Sequence, residues 1–176
     1  MDMTRNYFEF LGLPVGFEID QAELASRYRA LQRQLHPDRH AHQSDREQRL
    51  AVQHTAHLNE AYATLKSPLR RAQYLLSLAG IETRHDRAPQ LDPAFLMEQM
   101  ELREQVAAAP ESRAPEAELE RLRALVESEL GTLESDFAHA WESGALAQAE
   151  LAVRKMQFLT KLQSEVAALE DKLFDE

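Results

Sequence analysis

The residues with the greatest capacity for chemistry lie in one short run, Arg33-Gln34-Leu35-His36-Pro37-Asp38-Arg39. An imidazole, a carboxylate and guanidiniums this close could serve acid–base, metal-binding or ion-pairing chemistry. Acid–base catalysis needs a convergent pocket with a second titrating partner, and no such constellation is visible in the chain, so no enzyme is expected. Metal binding would draw on His36, His40 and His42, with His54 and His57 further on. Their spacing is not that of a helical histidine pair with a carboxylate, and His36 precedes a proline, so no metal site is expected. Cysteine is absent, which removes disulfides, thiolate zinc sites and thiolate cluster ligation. No glycine-rich phosphate loop is present, and no cofactor is expected.

Proline has no N–H and clashes with the preceding helical turn, so the helix that opens near Asp20 must stop before Pro37. It also pushes His36 towards extended geometry. The result is a rigid polar loop at a helix end. By itself the tripeptide is also an ordinary helix-stop turn, with Asp38 as a local cap. The preceding helix makes it more than that, because Arg27, Arg29 and Arg33 precede the loop and Arg39 follows it, against one acid, Asp38. This is a basic patch in a chain of net charge -10. Ala25, Tyr28, Leu31 and Leu35 form the apolar stripe that must pack inward.

The rest of the chain supplies elements to hold such a loop. It has 176 residues, 44% hydrophobic and 28% charged, with only 5 glycines. Ala, Leu, Glu, Gln and Arg dominate, which favours helix over sandwich or barrel. Apolar residues recur at helical spacing in Ala22–Leu35, in Leu58, Ala61, Tyr62 and Leu65, and in Leu122, Val126, Leu133, Phe137 and Trp141. Leu159, Leu162, Val166, Leu169 and Leu173 form an a/d-like seam. Asp20 with Glu23 comes close to a capping box, and Asp92-Pro93 is a strong helix start. Breaks fall at Leu13–Gly16, Ser67-Pro68, Gly80–Pro93, Ala107–Pro115 and Gly144. The predicted fold is all-α: four helices in 1–80, including an antiparallel hairpin, a linker at 81–92, and a three-helix bundle in 93–176. No run of about 18 apolar residues exists and the N-terminus lacks a signal-peptide core, so a soluble, cytoplasmic protein without membrane contact is expected.

Charge separates the halves. Residues 1–91 carry 12 basic and 11 acidic side chains, and residues 92–176 carry 8 and 19. Different surfaces for different partners follow, and nucleic acid is a poor candidate for an acidic chain. In the helix after Asp92, Phe95, Leu102 and Val106 fall within about 40° of one another at 100° per residue, which is enough for one buried stripe. Leu96, Met97 and Met100, flanked by Glu101 and Glu104, lie about 100–200° from Phe95. They form a second apolar face, surplus to bundle packing unless the linker or the first domain covers it. Phe158 is likewise off the Leu159/Leu162/Val166 seam, as a contact residue or one half-buried against its neighbour helix.

The first 80 residues resemble a J domain, the module that stimulates ATP hydrolysis by DnaK-type chaperones. Tyr7-Phe8-Glu9-Phe10-Leu11-Gly12-Leu13 is similar to its opening helix, His36-Pro37-Asp38 to its signature loop, and Leu58–Leu65 to its third helix. There is no Gly/Phe-rich region. Ala94–Glu104, Arg71–Leu76 and Arg154–Leu159 resemble the HscB group, the J proteins dedicated to iron–sulfur cluster assembly. The resemblance implies a co-chaperone whose partners are the DnaK-like chaperone HscA and the iron–sulfur scaffold IscU. It implies that His36, Pro37 and Asp38, with the basic face of Arg27, Arg29 and Arg33, meet the chaperone. It also implies that Leu96, Met97, Met100, Glu101, Glu104 and Phe158 meet the client. A helical adaptor, or a J protein with another client, is the alternative.

Overall fold

The computed structural model describes residues 2–83 and 91–175. Among these residues the chain is all-α, as predicted, with no strand. The helices are α1 (Tyr7–Phe10), α2 (Gln21–Leu35), α3 (Asp45–Lys66), α4 (Pro68–Leu78), α5 (Pro93–Ala108), α6 (Pro115–Glu142) and α7 (Leu146–Phe174). Short 3₁₀ turns follow α2 and α5, at Pro37–Arg39 and Ala109–Glu111.

Two compact units make up the chain, Met1–Leu75 and Leu76–Glu176. The division falls inside α4 rather than after residue 80, because α4 runs unbroken to Leu78 and its last turn groups with the second unit. Residues 84–90 of the predicted 81–92 linker, Pro89 included, lie outside the described residues. The ends that are described are packed: Thr83 and Leu91 are buried, and Gln157 Nε2 donates to the Thr83 carbonyl at 2.7 Å.

In the first unit α1 is short but well anchored. Asn6 caps it by accepting from Glu9 N–H, and Phe8 is wholly buried. Tyr7 stacks on Tyr74 of α4 at 4.4 Å, and its N–H donates to the Tyr74 hydroxyl. Helices α2 and α3 run antiparallel, with Tyr28 stacked on Tyr62 at 4.0 Å and its hydroxyl donating to Asn59. The inward stripe of α2 keeps Tyr28, Leu31 and Leu35 of the sequence reading and adds Leu24. Leu24 is fully buried and Ala22 is exposed, since Leu24, Tyr28, Leu31 and Leu35 share one face. Each fully buried aliphatic or aromatic side chain here contributes about 1.5–3 kcal/mol.

Capping differs from expectation at one site. Asp20 accepts from Ala22 N–H and Glu23 N–H, but Glu23 turns to Arg27 instead of closing a box. The reciprocal capping box stands at Ser44 and Glu47, at the start of α3. Arg71, in α4, is 5% exposed and satisfied by carbonyls: it donates to Phe17 O and Leu65 O, each at 2.6 Å. That ties the segment before α2 to the end of α3.

In the second unit Asp92 caps α5 by accepting from Phe95 N–H, with Pro93 at the first helical position. Helices α6 and α7 form an antiparallel hairpin that turns at Gly144, whose φ of +74° suits glycine. Ala145 N–H closes the turn on Ala140 O at 2.8 Å. The core is Leu119, Leu122, Val126, Phe137, Val153, Met156, Leu159, Leu162 and Val166, joined on α5 by Phe95, Leu102 and Val106. The seam fades at Leu169 and Leu173, which are half-exposed near the chain end.

Candidate functional site

The first candidate surface is built by the interruption at Pro37. Helix α2 ends at Leu35, and His36 takes φ -57° and ψ 135°, the extended geometry required before proline. Pro37–Arg39 then make one 3₁₀ turn. His36 Nδ1 accepts from Asp38 N–H at 3.2 Å, so in the neutral ring Nε2 carries the hydrogen and points away from that bond. The Asp38 carboxylate lies 3.6 Å from the same Nδ1, a contact that becomes an ion pair only on protonation. The Asp38 side chain is 92% exposed. The turn therefore stiffens itself with backbone and imidazole while leaving its carboxylate available to accept from outside. His40 anchors the other flank, held between the Gln34 carbonyl and the Gln43 side chain. A cleft of about 640 Å³ opens beside the turn, lined by residues that include Leu35, Pro37, Asp38, Val52 and Thr55.

The three arginines do not share one face. Arg29 and Arg33 lie about 40° apart on the helical wheel, opposite the Leu24/Tyr28/Leu31/Leu35 stripe, and are exposed. Arg27 flanks the stripe, about 160° from Arg29 and about 120° from Arg33. Its guanidinium pairs with Glu23 at 3.0 Å, and a side chain on Gly12 would run into its Nη1. Arg29, Arg33 and Asp38 are thus presented outward, while Arg27 is engaged within the unit.

The second candidate surface is on α5. Phe95, Gln99, Leu102 and Val106 face inward. Leu96, Met97 and Met100 are 38%, 62% and 64% exposed, so the surplus apolar face predicted for this helix is open. Glu101 and Glu104 fall in the same arc and are exposed. Phe158 is not part of that arc: half-buried on α7, it meets Phe95 edge-to-face at 6.3 Å, on the inner side of α5. Lys155, one turn away, reaches over the Phe95 ring and pairs with Asp92 at 3.5 Å. The Asp92 carboxyl is held below its ordinary pKa, first by the Phe95 N–H and then by Lys155.

Sequence reasoning missed Gln99, which is 5% exposed inside an otherwise apolar stripe. A polar residue at Phe95 + 4 was the available signal. Of the histidines, His57 packs edge-on against Tyr7 and Phe10. Among the described residues, no three His, Asp or Glu side chains come together as metal ligands, and no helix is long and apolar enough to cross a membrane.

Comparison with known proteins matches both halves. Residues 6–74 match the DnaJ domain family, and residues 91–167 match the family described as the HSCB C-terminal oligomerisation domain. A Vibrio cholerae protein named co-chaperone protein HscB homolog is 46% identical over 172 residues, spanning 96% of this chain and 98% of its own. The structure of the chaperone HscB from Vibrio cholerae superposes with a TM-score of 0.86 at 43% identity, covering 96% of this chain and 99% of that one. Human co-chaperone HscB superposes at 0.88 and 31% identity, covering 96% and 83%. Relatives this similar over nearly the whole length, with each half matched in its own right, place the chain in the HscB family of J-domain co-chaperones.

Proposed function

We propose that this chain carries the iron–sulfur scaffold IscU to the DnaK-like chaperone HscA in the cytoplasm and stimulates its ATPase, for cluster assembly and transfer. The observation that carries the reading is the open face of α5. Leu96, Met97 and Met100 are solvent-exposed on a helix whose opposite side already fills the bundle core. Exposed methionines suit an adaptable protein-binding surface, and Glu101 and Glu104 provide an acidic rim for a basic partner edge. Phe158 contributes from beneath, by bracing Phe95 and hence the start of α5.

The other unit acts on the chaperone. Arg29 and Arg33 speed encounter with an acidic surface, and Arg27 supports the helix that carries them. Asp38 then accepts charge-assisted hydrogen bonds from the chaperone, in a turn held by Pro37 and the His36 imidazole. The chain supplies no chemistry of its own. Differential binding of the turn to the hydrolysis-competent state shifts the chaperone's population towards that state. The test is steady-state ATP turnover by HscA with this chain and IscU, alone and together, beside calorimetric titration of the chain with IscU. Stimulation by the chain, increased by IscU, is the expected result. No stimulation, or no heat of binding with IscU, refutes the reading.

A further inference from the structure

The outer face of α5 holds two thioethers in water. Met97 and Met100 stand three residues apart on one arc of the helix and are 62% and 64% exposed. Thioether sulfur is a common target of peroxide, and the chain has no cysteine to compete for the oxidant. Other methionines are placed differently. Met156 is 1% exposed in the core of the second unit, and Met3 belongs to the first unit. The neighbours of Met97 and Met100 matter to the product. Glu101 lies one turn on from Met97 and Glu104 one turn on from Met100, both exposed. A sulfoxide oxygen carries partial negative charge and seeks a donor, whereas carboxylates offer acceptors and Leu96 offers neither.

We propose that Met97 and Met100 are a modification site: a peroxide converts them to sulfoxides in the free chain, and the oxidised face no longer takes up its client. The proposal rests on the reading of that face as client-binding. In each event the sulfur lone pair attacks one peroxide oxygen and an S–O bond forms as the O–O bond breaks. The departing hydroxide takes the proton of the transferred oxygen and leaves as water, so the sulfur loses two electrons and the peroxide gains them. A flexible apolar side chain thereby becomes a polar one on the surface that must be desolvated. The coupling is reciprocal, since a client seated on this face covers both sulfurs and slows their oxidation. The turn that meets the chaperone holds no methionine, so the switch acts on cargo alone.

In the test, the full chain is treated with hydrogen peroxide, the peroxide is removed with catalase, and oxidation is mapped residue by residue by mass spectrometry. The product is then titrated with IscU by calorimetry. Met97 and Met100 are expected to oxidise well before Met156. IscU affinity then falls about 100-fold, about tenfold for each sulfoxide covered without a hydrogen-bond partner. Methionine sulfoxide reductases A and B, one for each sulfoxide epimer, restore it together. HscA stimulation without client is the same before and after treatment. The double variant Met97→Leu with Met100→Leu, compared with its own affinity before peroxide, loses none of it, whereas Met3→Leu loses as much as the wild type. Unchanged IscU affinity after full oxidation of Met97 and Met100 overturns the switch. So does a peroxide-dependent loss in the double variant, which places the damage elsewhere. No IscU binding by the untreated wild type refutes the client reading, and the switch with it, whereas binding that survives oxidation refutes the switch alone.

Discussion

The turn after α2 and the outer face of α5 are both exposed, yet they are made from opposite materials. The turn is polar and stiff, with its carboxylate 92% exposed and its backbone closed by an imidazole. The α5 face is apolar and soft, two methionines and a leucine with an acidic rim. A signal to a motor must be quick and reversible, which suits charge steering and a few directional bonds. Holding cargo needs a surplus of buried area on binding, which suits flexible apolar side chains. Under the proposed function, the contrast separates the two tasks residue by residue.

Four substitutions or conditions sharpen or break that separation. The largest effect is expected at the turn: Asp38→Asn or His36→Gln abolishes stimulation of HscA turnover, while circular dichroism and IscU binding stay at wild-type level. If either variant also loses IscU, the two surfaces are not independent. Next, alanine at Leu96, Met97 and Met100 together weakens IscU binding about 100-fold, at roughly 1 kcal/mol for each truncated contact, and leaves HscA stimulation without client intact. An accompanying drop in thermal midpoint would mean that this face is core. Smaller again is the basic pair. Arg29→Ala with Arg33→Ala lowers apparent HscA affinity about tenfold at low salt and flattens its salt dependence. Arg27→Ala has little effect on stability and keeps the slope, because its guanidinium is half-exposed and paired with Glu23 one turn back.

The smallest effect belongs to acid. The Asp92 carboxyl has a lowered folded-state pKa, so its stabilising effect is present above the ordinary carboxylate range and is lost as pH falls through the lowered value. Thermal midpoints of Asp92→Asn and wild type should converge once pH falls below the lowered carboxyl pKa and differ at neutral pH. A constant difference across that range removes Asp92 as the charged cap of α5.

Much of this was legible because it is local. Pro37 stops α2 by covalent geometry, and Asp92-Pro93 starts α5 for the same reason, so neither depends on tertiary context. The second apolar face of α5 was legible from angular arithmetic, since a bundle helix needs only one stripe. What escaped reading depends on partners distant in sequence. Leu24 was passed over in favour of Ala25 on the edge of the same stripe, and it is the packed fold that buries it. The grouping of Arg27 with Arg29 and Arg33 treated nearness in sequence as nearness in space; Arg27 turns towards Gly12 instead. Gln99 reads as a surface residue until the packing of α5 buries it. Phe158 was rightly placed off the seam, but its contact with Phe95 needed the fold.

The central claim is that prodding the chaperone and carrying the client must occur on one molecule. Its most direct test is complementation in trans. Asp38→Asn, which keeps the client face, is mixed with the Leu96/Met97/Met100 alanine variant, which keeps the turn, and HscA turnover is followed with IscU present. The account predicts that the mixture stays well below the wild-type rate at every ratio, since neither molecule links client to chaperone. Recovery of the full IscU-enhanced rate by the mixture would contradict it.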